Sequence, residues 1–200
     1  MLGPHGVGKT TTLEAVKTQL DDLNRKFHIV HHLEYKKVRQ NIIPKYSNKK
    51  FFFKNNLLIK YIKLFLVSIY DELIYLNNIN QTLREARNQN IIVIFDRYIY
   101  DRHIDLKINK RSIVSVLLTK ISCYILRRPT LAFILNDQAE RIYSRNHEYT
   151  ITNIEYYQRS IINLCNNLSV RYELIDINNQ TPQTMSNQIL EKINKEINKT

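Results

Sequence analysis

The feature that most constrains the fold of this 200-residue chain is the position of its glycines, because all three lie between residues 3 and 8. They belong to the segment GPHGVGKT at residues 3–10, which fits the pattern G-x-x-x-x-G-K-[ST]. Glycine lets consecutive backbone N–H groups turn towards an anion, and a helix that begins at such a loop adds the positive end of its dipole. The pattern predicts a phosphate-binding loop. The alternative is a glycine-rich turn that merely precedes a helix.

The predicted cofactors are ATP and Mg²⁺. In a loop of this kind, Lys9 reaches the β- and γ-phosphates and the Thr10 hydroxyl binds the metal. We expect His5 to contribute its backbone and to have no role in proton transfer. The residues predicted to contact the nucleotide are Gly3, Pro4, His5, Gly6, Val7, Gly8, Lys9, Thr10 and Thr11.

Of the two elements that normally flank such a loop, the sequence shows the helix after it but not the strand before it. Apolar residues at helical spacing predict a helix from Thr11 to Asn24. However, only Met1 and Leu2 precede Gly3, whereas such a loop ordinarily follows a buried strand of about five or six residues. Because that strand lies in the middle of the sheet, its loss would leave neighbouring backbone groups unpaired. We therefore expect a chain that is truncated at its amino end or whose start was assigned too late.

Composition indicates a single cytoplasmic domain over residues 1–200. The hydrophobic fraction of 44% is sufficient for a core. Cys123 and Cys165 lie in apolar helical patterns, which predicts buried free thiols in a reducing compartment. No metal-ligand spacing of Cys and His points to zinc. The longest apolar stretch, Leu57–Leu76, contains Lys60 and other charged residues, so we expect a core helix and not a membrane span.

The net charge of +12 has two interpretations. It could form a basic surface for nucleic acid or anionic lipid, or it could reflect dispersed lysines around a phosphate-binding cleft. Lys and Arg are densest over residues 25–63, and no nucleic-acid-binding motif accompanies them. The expected partners are therefore a small-molecule acceptor and, as one option, a second copy of the chain, with no specific nucleic acid.

Apolar runs rich in β-branched residues alternate with helical patterns, which predicts an α/β fold with a parallel sheet. The continuous run Ile91–Phe95 predicts a central strand buried on both faces. Residues 41–54 are expected to form a loop or short helix over the cleft. The other predicted strands are Phe27–Leu33, Leu131–Leu135 and Tyr172–Ile177. The other predicted helices are Leu57–Leu76, Gln81–Asn88, Ser112–Leu126, Gln138–Arg145, Asn153–Leu168 and Pro182–Asn198.

Two residues at the end of the strongest strand are candidates for chemistry. Asp96 follows that strand directly, and ligands of open α/β sheets gather at the carboxyl ends of strands. Its carboxylate could hold Mg²⁺ through water or accept a proton from an attacking hydroxyl. The planar fork of Arg97 suits an anionic group on the acceptor. Alternatively, Asp96 caps the next helix and Arg97 lies on the surface.

Two further pairs of residues at helical spacing are less decisive. Asp101 and Asp105 could be acceptor-site carboxylates or a solvated face paired with Arg102. Arg141 and Arg145 lead into a short polar stretch, and an arginine on a mobile lid can stabilise charge on a transferring phosphoryl group. The alternative for these arginines is a surface ion pair with Glu140 or Glu148. The lid region is expected at about residues 138–160.

These features together resemble the thymidylate kinase-like P-loop kinases. The matching segments are GPHGVGKTTT at residues 3–12, FDRY at residues 95–98, and the stretch 135–145 that leads into a lid. The resemblance covers the whole chain in order and spacing. It implies a three-layer α/β/α P-loop NTPase fold with a five-stranded parallel sheet, of which this chain largely lacks the first strand. It also implies transfer of the γ-phosphoryl group of ATP, with Lys9, Asp96, Arg97 and Arg145 as catalytic residues and Thr10 and Asp96 at the metal.

The sequence defines the phosphoryl acceptor less well than the nucleotide that donates the phosphoryl group. Thymidylate kinases carry Arg-Glu-Pro after the second strand, where this chain reads HLEY at residues 32–35. The chain also resembles a divergent branch of these kinases found with polysaccharide-biosynthesis proteins, in which further aspartates follow the Asp-Arg-Tyr motif. The expected acceptor is a nucleoside monophosphate such as dTMP. The alternatives are a glycan-pathway metabolite, or a nucleotide-gated switch that hydrolyses ATP slowly.

Overall fold

The structure, a computed structural model, describes residues 1–31, 57–178 and 180–198. The expected loop at 41–54, the end of the predicted strand Phe27–Leu33 and most of the basic segment 25–63 lie outside these ranges. The described part is an α/β structure that is mostly helical and has short parallel strands.

Four strands and seven helices alternate along the described residues. The strands are β1 (Phe27–His31), β2 (Ile92–Asp96), β3 (Ala132–Asn136) and β4 (Tyr172–Asp176). The helices are α1 (Lys9–Asp22), α2 (Leu57–Gln89), α3 (Ile99–Ile108), α4 (Ile113–Ile125), α5 (Ala139–Arg145), α6 (Ile151–Asn167) and α7 (Pro182–Ile197).

Local sequence explains where several helices begin. The hydroxyl of Ser112 accepts a hydrogen bond from the third residue of α4, and Thr150 does the same for α6. Thr181 caps α7, whose first residue is Pro182, as the sequence predicts. Gly8 precedes α1 in the left-handed conformation, with φ of +90°. A residue with a Cβ adopts this conformation only at a cost, which ties the start of α1 to glycine.

The strands form two parallel pairs. β1 pairs with β2, with Phe27 opposite Ile92, and β3 pairs with β4, with Ala132 opposite Tyr172. The four predicted strand positions are confirmed to within one or two residues in the described chain.

Met1 and Leu2 lie between the two pairs of strands. The nitrogen of Met1 donates to the carbonyl oxygen of Phe95, and the N–H of Arg97 donates to the carbonyl oxygen of Met1 at 3.1 Å. On the other side, the N–H of Leu2 donates to the carbonyl oxygen of Phe133 at 2.8 Å, and Leu2 forms an isolated parallel bridge with Ile134. Two residues of main chain thus connect β2 to β3 where the sequence predicts the middle of a sheet.

The prediction that β2 is buried on both faces is wrong. All five of its residues are only partly buried, whereas four of the five residues of β3 are buried. A cavity of about 380 Å³ lies between these two strands and explains the difference. Val93 and Phe95 of β2, Phe133 of β3 and Met1 are among its lining residues. The apolar run of β2 therefore faces space that packed side chains do not fill.

The long apolar stretch also differs from expectation. The predicted helices Leu57–Leu76 and Gln81–Asn88 are one continuous helix, α2, because no proline or glycine interrupts residues 57–89. Nor is its first half a core element. Leu66 and Leu73 are each 58% exposed, and the helix contributes to the core only from Glu72 onwards, as far as its side chains are described. No helix in the described ranges combines the length and apolar character needed to span a membrane.

The main core lies under α1, α6 and β3. Leu13, Ile134 and Ile161 are among its fully buried residues. Cys123 and Cys165 are free and buried, which confirms the prediction of free thiols. Burial raises the pKa of both thiols to about 12, so they remain protonated at neutral pH and act as small core residues.

Candidate functional site

Residues 3–10, which we call the glycine loop, surround a buried lysine. Lys9 is only 5% exposed, and its Nζ donates to the carbonyl oxygens of Gly3 at 2.5 Å and Pro4 at 2.7 Å. Burial, followed by the positive charge of Arg97, lowers the pKa of Lys9 from 10.5 to about 8, against the opposing effect of nearby carboxylates. An ammonium held by neutral carbonyl groups in a buried position is a strong attractor for an anion.

The middle of the glycine loop lies against the connection between α5 and α6, residues 146–150. A Cβ atom placed on Gly6 would meet the Cβ of Asn146 at 2.7 Å and the carbonyl oxygen of Ile142 at 3.3 Å. Gly6 also has a φ of +82°, which few residues with a side chain adopt. Glycine is needed here for close approach as well as for conformation, and that approach brings the predicted lid region to the loop.

Asp96 lies at the carboxyl end of β2, next to the end of β1. One of its oxygens, Oδ2, is 3.3 Å from Nδ1 of His31. The other, Oδ1, is buried and has no hydrogen-bond partner among the residues that the structure describes. Asp96 is also close enough to Lys9 to affect its ionisation. An unpaired carboxylate oxygen can take a metal-bound water or a proton.

Arg97 has an unusual backbone conformation for a residue with a large side chain. Its φ is +78°, a region that costs of the order of 1–3 kcal/mol and that often marks functional sites. The side chain turns inward: Nη1 lies 3.3 Å from Asp105 Oδ2, and Nη2 lies 2.9 Å from Nδ1 of His5. Burial alone would lower the pKa of Arg97, but Asp101 and other acidic groups raise it, so the guanidinium stays charged.

Asp105 connects Arg97 to the α5–α6 connection. The hydroxyl of Tyr149 donates to Asp105 Oδ1 at 2.7 Å. Burial by itself would raise the pKa of Asp105, but the nearby imidazole of His5, the hydrogen bond from Tyr149 and the charge of Arg97 outweigh it and leave the pKa below its ordinary value. Asp105 is therefore an ionised carboxylate that already has partners.

Asp101 is a fully buried acceptor of three hydrogen bonds. Its Oδ1 accepts from the N–H of Gly3 at 3.2 Å and from the hydroxyl of Tyr157, and its Oδ2 accepts from the N–H of Tyr98 at 3.0 Å. The interpretation of a solvated face paired with Arg102 is wrong. Arg102 instead pairs with Glu72 of α2 at 3.0 Å. Asp101 ties the glycine loop to the first turn of α3.

The two arginines of α5 share one buried carboxylate. Arg141 Nε lies 3.1 Å from Asp137 Oδ1, and Arg145 Nη1 lies 3.0 Å from Asp137 Oδ2. Asp137 follows β3, and its side chain is 1% exposed. Arg145 therefore pairs with this buried aspartate and not with Glu140 or Glu148. Its own side chain remains 48% exposed.

The sequence identified most residues of this cluster and missed others. Asp137 carries a weaker form of the signal at Asp96, because Asn136 separates it from the apolar run that ends at Leu135, and it could have been found on that basis. Tyr149 and Tyr157 give no such signal, because they reach Asp105 and Asp101 of α3 only when α6 and the connection before it pack against that helix. The backbone of His5 was expected to matter more than its imidazole, yet the imidazole contacts Arg97 and, at 2.9 Å, Glu148.

Thr10 and Asp96 are the two predicted ligands of Mg²⁺, and the structure describes both. Among the described residues, no three His, Cys, Asp or Glu side chains are grouped to hold a metal ion. Thr10 is exposed in the first turn of α1, and Asp96 has its free Oδ1. Mg²⁺ bound to phosphates keeps several waters and needs only one or two protein ligands.

Comparison with protein-family models and with curated proteins finds no match for this chain.

Proposed function

We propose that the protein is a phosphotransferase that moves the γ-phosphoryl group of ATP to a small acceptor, with a nucleoside monophosphate such as dTMP as the default acceptor. The observation that carries this proposal is the position of Lys9. It is a buried cation at the start of α1, held by backbone carbonyls, within electrostatic reach of Asp96, Arg97 and Asp105. Such a site can bind a triphosphate on one side and an acceptor on the other.

We infer a P-loop NTPase fold with a five-stranded parallel sheet in three layers. The glycine loop and α1 support it, as does the position of Met1 and Leu2 between β2 and β3. In this arrangement the ends of β2 and β3, which carry Asp96 and Asp137, lie at the same edge as the glycine loop.

Five residues have roles in the proposed reaction. Lys9 gives up its carbonyl partners to bind the β- and γ-phosphates, and Thr10 binds the Mg²⁺ that neutralises their charge. Asp96 holds a water of that metal or, for a hydroxyl acceptor, takes the proton from the attacking oxygen. Arg97 binds an anionic group of the acceptor. Arg145 stabilises charge on the phosphoryl group during transfer, since the next residue, Asn146, already lies against Gly6.

ADP formation in the presence of ATP, Mg²⁺ and a panel of acceptors tests this proposal. We expect ADP only with the right acceptor, and dTMP and phosphorylatable sugars should both be in the panel. Lys9→Ala should lower turnover by orders of magnitude, whereas Lys17→Ala on an exposed turn of α1 should not change it. ADP formation at the same rate without any acceptor would instead support the nucleotide-gated switch.

Arg97→Ala separates the two halves of the site. We expect it to raise the acceptor KM strongly and to leave ATP binding nearly unchanged, because the guanidinium faces Asp105 and His5 and not Lys9. The stabilisation of the fold by ATP·Mg²⁺ measures binding without turnover, about 2.7 kcal/mol at 100 times the Kd. A loss of ATP binding equal to the loss of acceptor use would contradict the assignment of Arg97.

A further inference from the structure

The proposed reaction leaves one polar side chain of the glycine loop unused, the imidazole of His5. Its Nδ1 lies 2.9 Å from Nη2 of Arg97 and also 2.9 Å from Oε2 of Glu148. Its Nε2 faces Asp105 Oδ2 at 3.9 Å, and its ring packs edge-on against Tyr149 with centroids 5.4 Å apart. His5 therefore touches the connection between β2 and α3, α3 itself and the α5–α6 connection at once.

One nitrogen cannot serve both of its close neighbours. The guanidinium of Arg97 can only donate, so it needs Nδ1 with a free lone pair. The carboxylate of Glu148 can only accept, so it needs a hydrogen on Nδ1. The two contacts therefore exclude each other, and the proton on Nδ1 decides which one is made.

Protonation of His5 affects both groups that hold Arg97. An imidazolium has no lone pair for Arg97 and repels it as a like charge. Its positive charge also strengthens the attraction of Nε2–H for Asp105, the other partner of Arg97. At the same time it attracts Glu148. Arg97, Asp105, Glu148 and Tyr149 are the charged or titratable side chains that contact His5 within the described ranges, and Lys9 is turned towards the carbonyls of its own loop.

We propose that His5 is a positioning residue that couples the α5–α6 connection to Arg97. With a proton on Nδ1, His5 holds the connection against the glycine loop through Glu148 and releases Arg97. Without that proton, it holds Arg97 and releases the connection.

The consequence for catalysis rests on the proposed function. An anionic group of the acceptor that draws Arg97 away frees the lone pair of Nδ1, which then takes a proton from solvent and binds Glu148. Acceptor binding thereby closes the α5–α6 connection over the site and takes up a proton. His5 releases Arg97 when it binds Glu148, so acceptor binding by Arg97 and closure of the α5–α6 connection occur together.

The test uses the full chain without nucleotide or acceptor, so its outcome does not depend on kinase activity. Hydrogen exchange of the amides at 146–150, corrected for the intrinsic effect of pH, should slow roughly threefold between pH 8 and pH 5.5, as expected for a half-exposed ion pair. Over the same range, and after the same correction for intrinsic exchange, NMR should show reduced protection of the Arg97 guanidinium protons from exchange with water. The opposite signs of these two trends are the signature of the coupling.

Three variants identify the residue responsible. His5→Asn keeps a polar group near the Nδ1 position but does not titrate, and both trends should disappear. Glu148→Gln changes a half-exposed side chain and removes its charge, and the trend at 146–150 should disappear in this variant too. The matched control is His147→Asn, since His147 packs edge-on against Tyr143 of α5, and both trends should persist.

The proposal is overturned if wild-type protein shows no pH trend at 146–150, if both trends have the same sign, or if His5→Asn retains them. Opposite trends in a protein that transfers no phosphoryl group would leave the coupling intact and reject the kinase. Acceptor-dependent ADP formation in a protein without the trends would do the reverse.

Discussion

Asp101 provides the sharpest stability test of this architecture. In Asp101→Asn, one carboxylate oxygen becomes an NH₂ group, which donates and cannot accept. Oδ1 serves Gly3 and Tyr157 while Oδ2 serves Tyr98, so either orientation of the amide leaves at least one buried donor facing another donor. The residue is 1% exposed, which leaves little access for water to replace the lost acceptor.

The expected cost follows from the partners that are lost. A buried donor left without an acceptor costs about 1–3 kcal/mol, and hydrogen bonds to a charged group contribute about 1.5–3 kcal/mol. The substitution also removes a negative charge that lies close to Lys9 and Arg97. We therefore expect the free energy of unfolding to fall by about 2–3 kcal/mol. For a chain of this length, that corresponds to a decrease in Tm of roughly 5–10 °C.

Urea unfolding and calorimetry measure this change. Tyr157→Phe removes one donor and leaves both backbone donors satisfied, so it should cost about 1 kcal/mol. Asp22→Asn, at an exposed position of α1, should stay within about 0.5 kcal/mol of wild type. If Asp101→Asn unfolds at the same urea concentration as Asp22→Asn, the link between the glycine loop and α3 does not contribute as we have argued.

Two further predictions concern the glycine loop. Because burial lowers the pKa of Lys9 to about 8 and bound phosphates favour its charged form, ATP affinity should be constant below about pH 8 and fall up to tenfold per pH unit above it. Isothermal titration calorimetry from pH 7 to 9.5 measures the ATP affinity. Lys9→Met should remove its pH dependence, and a wild-type affinity that does not change with pH would refute the prediction. Gly6→Ala should lower the free energy of unfolding by about 2–4 kcal/mol, since it combines a positive φ with a contact of 2.7 Å to Asn146. The double variant with Asn146→Gly should recover part of that loss by urea unfolding, and no recovery would show that the contact is unimportant.

Local pattern accounts for the parts of the fold that were predicted well. The strands, the helix after the glycine loop and the cap at Thr181 depend on residues close together in sequence. The long helix α2 was divided in two because its polar residues from Asn77 to Gln81 look like a break, although nothing there prevents a helix. The burial of β2 was wrong because an apolar run reports what a strand could bury, not whether a neighbour fills the space beside it.

The sequence by itself determined that the glycines of this chain form a loop before a helix, and that acidic and basic residues follow its apolar strands. Glycine spacing and residue type encode these features locally. Only the tertiary structure decided which residues contact one another. Asp101 accepts a hydrogen bond from Gly3, and Asp137 pairs with Arg145. His5 lies between Arg97 and Glu148. These pairs join residues from different elements, so they depend on how strands and helices pack, and no local pattern carries that information.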